Sequence, residues 1–250
     1  VKAWRRRLTP INLTADSNAT IALDSADDSM SAFAESIRTL RNSILLSNFD
    51  RRLKSILVTS ASPSEGKSTT AAYLALSHAQ QGKKTLLIDG DLRRPSIHRR
   101  FNLAADTGLS NILLGETPWR DAVLPIPGVK NLEVVPAGPA SRRAADIVGS
   151  SIADLIDDIS REYDFVVLDA PPLLGFAEPL QMCTGVDGVL VVARAGETNR
   201  RSLSSVVSTL GRLRANIVGL VLNEVRDESS QGYYYGYYGY HSKYYTPTRG

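Results

Sequence analysis

Six short apolar runs alternate with helical stretches along most of the chain, and this alternation restricts the fold more than any other feature. The runs cover residues 55–59, 85–88, 132–135, 165–168, 189–193 and 218–222. Amphipathic stretches at 69–81, 145–162 and 201–213 lie between them. Upstream, Phe33, Ile37, Leu40 and Ile44 recur at spacings of four, three and four, one face of a further helix. Strands apolar on every residue must be buried on both faces. The pattern therefore predicts an α/β fold, a mainly parallel central sheet flanked by helices on both faces. Ligands of such folds lie at the carboxyl ends of the strands, so chemistry is expected just after them.

The first run leads into Ser60-Ala61-Ser62-Pro63-Ser64-Glu65-Gly66-Lys67-Ser68-Thr69 and then a helix, the context of a phosphate-binding P-loop. Backbone N–H groups from Ser62, Pro63's neighbours, Ser64, Glu65, Gly66, Lys67, Ser68 and Thr69 are expected to wrap phosphates at the positive end of the helix. Lys67 is expected to bridge the β- and γ-phosphates and the Ser68 hydroxyl to ligate Mg2+. Ala61 stands where the strict motif has its first glycine. The next strands deliver carboxylates. Thr85–Ile88 as a run ends in Asp89-Gly90-Asp91-Leu92-Arg93-Arg94-Pro95, and the run at 165–168 ends in Asp169-Ala170-Pro171-Pro172. Magnesium takes one or two carboxylates with phosphate oxygens and waters, so Ser68, Asp89, Asp91 and Asp169 are the candidate metal shell. Lys67, Asp89, Asp91 and Asp169 are the candidate catalytic group, with ATP and Mg2+ as cofactors.

Composition excludes other chemistries. One cysteine, Cys183, leaves no internal disulfide, and three scattered histidines argue against zinc. A formal charge of +3 over 250 residues gives no reason to expect a nucleic-acid partner. No run reaches the roughly 18 apolar residues of a membrane helix. Trp4-Arg5-Arg6-Arg7 nevertheless resembles the cytoplasmic flank of one, or a solvated basic terminus. We read residues 1–28 as a juxtamembrane linker, 29–225 as the nucleotide-binding domain and 226–250 as a flexible tail. The tail holds Tyr233, Tyr234, Tyr235, Tyr237, Tyr238, Tyr240, Tyr244 and Tyr245, eight of the ten tyrosines in the chain. Interleaved glycines favour a flexible segment.

Together the stretches SASPSEGKST, LLIDGDLRRP and FVVLDAPP resemble the Walker A, A′ and B motifs of the bacterial tyrosine kinases of capsule and exopolysaccharide production. The stretches at 108–113, 135–139 and 219–223 are similar too. The resemblance implies an autokinase that transfers the γ-phosphate of ATP to its own tail tyrosines, in trans within a ring of subunits. It implies Asp89 as the residue that receives or orients the tyrosine proton, and Asp91 and Asp169 as supports of the magnesium shell. Asn223 resembles an adenine-contacting asparagine of related P-loop proteins. Glu35, Arg38 and Arg41 match an E-x-x-R-x-x-R ring-interface motif, and equally a solvated helix face. Implied partners are a transmembrane and periplasmic co-polymerase region, expected to be fused, and a cognate tyrosine phosphatase, at the cytoplasmic face of the inner membrane. Two other readings stand beside this one. A partition or septum-positioning ATPase would carry a lysine at Ser62 and has no use for a tyrosine tail. A non-catalytic ATP-binding regulatory module could be modified by another kinase.

Overall fold

Alternate residues of each central strand supply two separate apolar surfaces. In β1 (Ser55–Ser60), Leu57 faces one side while Ile56 and Val58 face the other, all fully buried. β5 (Phe165–Asp169) divides the same way, Val166 and Leu168 opposite Phe165 and Val167. The computed structural model describes residues 28–47 and 53–225. The remaining strands are β2 (Thr85–Asp89), β3 (Leu124–Pro125), β4 (Leu132–Val135), β6 (Gly188–Arg194) and β7 (Ile217–Asn223). They form one seven-stranded sheet in the order β3-β4-β2-β5-β1-β6-β7. Every pairing is parallel except β3 with β4. The expected fold class is the one found.

Helices cover both faces. α1 (Asp28–Ser47) and α2 (Lys67–Ala79) bury Phe33, Ile37, Ile44, Leu74 and Ala75 on one face of the sheet. α5 (Arg142–Glu162) and α7 (Arg200–Arg212) bury Ile152, Ile156, Ile159, Val206 and Leu210 on the other. Each such branched side chain contributes about 1.5–3 kcal/mol when fully buried. Five elements escaped the sequence reading, among them a 3-10 turn at Trp119–Ala122. β3 is a two-residue edge strand ending in Pro125, and α3 (Ile97–Arg100), α4 (Leu109–Leu113) and α6 (Glu178–Met182) are four or five residues long. Of the linker expected at 1–28, Asp28 begins α1, while residues 1–27 and the tyrosine tail at 226–250, with Tyr233 to Tyr245, lie outside the described residues. Among the described residues no helix is long and apolar enough to cross a membrane.

The three residues of the expected interface motif do not share one exposed face. Glu35 and Arg38 form an exposed ion pair within α1 at 2.6 Å. Arg41 turns inward and is buried at 8% exposure. Its guanidinium donates to the Ser77 carbonyl at 2.9 Å and to Ser77 Oγ at 3.0 Å. Ser77 lies in the last turn of α2, where carbonyls lack partners along the helix and a cation is favoured. Arg41 is therefore a tether between α1 and α2. In urea denaturation, Arg41→Ala is expected to destabilise the chain by about 1–3 kcal/mol. Arg38→Ala is expected to stay within about 0.5 kcal/mol, as befits an exposed pair. Equal effects would contradict this division.

Candidate active site

The order of strands brings the candidate carboxylates together. β5 lies between β1 and β2, so the loop after β1, Asp169 and Asp89 come from three adjacent strands at their carboxyl ends. Asp89 and Asp169 are direct neighbours in register. Both are fully buried, and Asp91 is 4% exposed.

The P-loop turns into α2 through Gly66, at φ +92° in the left-handed region that favours glycine. A Cβ there would also stand 2.1 Å from Asn223 Nδ2, so no other residue fits without a shift. No side chain caps the N-terminus of α2 and no acidic residue stands in its first turn. The helix end thus presents a positive dipole to an anion. Ser62, Pro63 and Ser64 form the exposed tip, Gly66, Lys67 and Thr69 are half-buried, and Ser68 is buried. Glu65 is buried and faces inward: its Oε2 accepts the Ser62 N–H at 3.0 Å and its Oε1 the Thr198 hydroxyl at 2.6 Å. Asn223, at the end of β7, donates from Nδ2 to the Glu65 carbonyl at 3.2 Å, so it braces the loop. Its Oδ1 is buried without a partner.

The three aspartates do not form one three-carboxylate cluster; each has a different environment. Asp89 Oδ2 accepts the N–H groups of Ser96 and Ile97, each at 3.0 Å, and Oδ1 accepts the Asp91 N–H at 3.2 Å. Burial, with the Asp169 charge beside it, raises its pKa to about 7 against the pull of those N–H bonds. Asp91 Oδ2 accepts the Lys67 ammonium at 2.9 Å and Oδ1 the Arg94 N–H at 3.0 Å. Asp169 differs from both, since neither oxygen has a hydrogen-bond partner of good geometry. Burial raises its pKa, while Lys67 and the nearby Ser68 hydroxyl pull the other way. Burial disfavours the Lys67 ammonium, but Asp169, Asp91 and Asp89 outweigh this and raise its pKa. A buried carboxylate with two free oxygens, beside an ammonium and a hydroxyl, fits one coordination position of a hard cation.

Two arginines gain a definite place. Arg93 donates twice to Glu178 Oε1, at 2.8 and 2.6 Å, and lies over Phe176, which ties the loop after β2 to the start of α6. Arg94 is exposed and reaches the site only through its backbone. Arg100 is buried at 7% exposure with Nε unpartnered, and interacts with Asp169 and Asp89. Neither Arg100 nor Thr198 was singled out from the sequence, because their partners are far away along the chain.

The unpartnered Asp169 carboxylate implies a stability effect. Its pKa is raised in the folded state, so its ionisation opposes folding above the ordinary carboxylate pKa of about 3.9 and has no effect below it. Without magnesium and nucleotide, Asp169→Asn is expected to stabilise the chain at pH 8 by about 1–2 kcal/mol. The gain should vanish as the pH falls towards 4. Urea titrations of both proteins at several pH values measure it, and a gain independent of pH would contradict the assignment. His78, whose buried imidazole is pushed down to about 4, contributes equally to both proteins and drops out of the difference.

Known proteins fall into line with this geometry. The AAA domain family matches residues 53–220. The tyrosine-protein kinase YwqD of Bacillus subtilis (strain 168) is 37% identical over 207 residues, 82% of this chain and 86% of that protein. The tyrosine-protein kinase etk of Escherichia coli (strain K12) is 30% identical over 216 residues, and this chain spans only 29% of its length. The solved kinase domain of the Escherichia coli kinase ETK superposes with a TM-score of 0.79 at 26% identity, covering 91% of this chain and 93% of that one. The Pyrococcus furiosus cell division ATPase MinD, at 22% identity and a TM-score of 0.62, shares the fold alone. With its three motifs gathered at adjacent strand ends and this similarity running over most of its length, the chain belongs to the bacterial tyrosine-protein kinases.

Proposed function

We propose that the chain is an ATP-dependent protein-tyrosine autokinase whose substrate is the tyrosine-rich tail of a neighbouring subunit in a ring. The observation that supports this best is the buried, unpartnered Asp169 carboxylate beside Lys67 and Ser68, at the open N-terminus of α2. Phosphoryl transfer demands positioning and charge compensation more than covalent chemistry from the protein. In this reading the first-turn N–H groups of α2 hold the phosphates, and Lys67 moves its charge from Asp91 to the γ-phosphate. Ser68 and Asp169 would hold Mg2+, which when bound would supply positive charge to offset the negative charge that develops during transfer. Asp91 acts mainly by fixing Lys67 and the loop through Arg94 N–H. Asn223 braces the loop.

Asp89 is proposed to take the proton of the incoming tyrosine. A tyrosine of pKa about 10 arrives protonated at neutral pH. A carboxylate raised towards neutrality is a better base for it than an ordinary one. The phenolic oxygen then forms the new bond to the γ-phosphorus, the bond to the bridging oxygen breaks, and ADP leaves. Each phosphate added to the tail carries about −1.5 to −2 charges, which favours release of modified tails from one another. We further propose that the activity regulates capsule or exopolysaccharide polymerisation and export at the inner membrane. A transmembrane co-polymerase region and a cognate phosphatase would complete that system. This draws on the longer relatives, among them the succinoglycan biosynthesis transport protein ExoP, of which this chain spans 26%.

Dephosphorylated chain incubated with ATP and magnesium is expected to gain phosphotyrosine among Tyr233 to Tyr245, mapped by mass spectrometry. Lys67→Met should reduce the rate by about 100-fold or more. In a mixture with active chain that lacks residues 226–250, the Lys67→Met chain should become labelled. ATP hydrolysis without any tail labelling would sink the kinase reading in favour of a switch ATPase. Labelling of the parent, with none in the mixture, would overturn transfer in trans.

A further inference from the structure

The phosphate loop carries strain that it does not hold by itself. Ser64 adopts φ +63° and Gly66 φ +92°. A non-glycine residue keeps such a conformation when its surroundings fix it. The fixing point is Glu65, 4% exposed in the middle of the loop. One carboxylate oxygen accepts the Ser62 N–H at 3.0 Å and closes the loop on itself. The other accepts the hydroxyl proton of Thr198 at 2.6 Å.

Thr198 lies in the turn between β6 and α7, far from the loop in sequence. Its own oxygen accepts the Arg194 N–H at 2.7 Å, so the direction of its single proton towards Glu65 is set. The same turn is pinned twice more. Thr198 N–H donates to the Arg194 carbonyl at 2.9 Å, and the Arg194 guanidinium pairs with Glu224 at 2.6 Å. On the other side of the loop, Asn223 holds the Glu65 carbonyl. The loop is therefore clamped between the ends of β6 and β7.

We propose that Thr198 is a positioning residue for the reaction: by its hydrogen bond to Glu65 it presets the loop that receives the polyphosphate. The proposal rests on the nucleotide-site reading above. The bond has a second consequence. Glu65 puts a negative charge inside a loop meant for phosphates, and Thr198 and Ser62 together keep both of its oxygens engaged. Without the hydroxyl, one oxygen of a buried carboxylate is unpaired, and its loop is free to leave the strained geometry.

The test uses the full chain, with ATP KM and kcat from tail phosphorylation and direct magnesium–ADP binding by calorimetry. Thr198→Val is expected to raise KM and the ADP dissociation constant by about tenfold, the size a lost charge-assisted hydrogen bond supports. The value of kcat should change by less than about twofold. Thr198→Ser, which keeps the hydroxyl, should restore parent values. Glu65→Gln has one acceptor oxygen where the carboxylate has two, so it should raise KM in the same sense. The double variant Glu65→Gln, Thr198→Val should show less than the product of the two effects. Parent-like binding by Thr198→Val, failure of Thr198→Ser to restore it, or effects that multiply would each overturn the proposal while the parent still binds nucleotide. A parent that binds no nucleotide would overturn the nucleotide-site reading as well.

Discussion

The arrangement depends on one electrostatic constraint: three carboxylates and an ammonium are held out of water at the carboxyl ends of adjacent strands. Parallel pairing of β2 with β5 sets Asp89 against Asp169 in register, and β1 delivers Lys67 beside them. Burial disfavours ionisation of Asp89 and Asp169 and neighbouring carboxylates add to it, so both are raised. Neighbouring groups offset this unequally. Asp89 accepts three backbone N–H bonds and Asp91 a hydrogen bond from Lys67, but neither oxygen of Asp169 accepts one. The imbalance distinguishes the environments of three residues that look alike in sequence. The residue with the least compensation from the protein is the one best suited to a ligand's charge.

Much of this was legible from sequence because buried parallel strands have a plain signature. All six apolar runs form strands, and the carboxylates lie at their ends. The elements that were missed have no periodicity long enough to read. α3 is four residues whose N-terminal amides at Ser96 and Ile97 are held by Asp89, a contact that only the fold creates. β3 exists because two residues pair with β4 at the sheet edge.

The helix-face motif shows a different limit. Glu35, Arg38 and Arg41 look equivalent at intervals of three. At about 100° per residue, however, Arg41 lies about 120° around α1 from Glu35. That rotation takes it into the contact with Ser77. The spacing alone did not tell a surface residue from a tether. Glu65 poses the same problem in a loop. It reads as one more residue of a phosphate-binding motif, but its carboxylate points away to Thr198, and Asn223 meets the same segment from β7. In both cases the residue type was right and the direction of the side chain was decided by partners distant in sequence.

The proposed transfer depends on Asp169 and Ser68 as the protein's share of a magnesium site beside a nucleotide. The most direct measurement is thermal unfolding of the chain with ADP, with and without magnesium, in the parent and in Asp169→Asn. A ligand at 100 times its dissociation constant stabilises the folded state by about 2.7 kcal/mol. A clear rise in Tm is expected with magnesium and ADP together, and a much smaller rise with ADP and a chelator. If this site holds the ion, the magnesium-dependent part is lost in Asp169→Asn. Equal stabilisation by ADP with and without magnesium, or a full magnesium effect in Asp169→Asn, would contradict it.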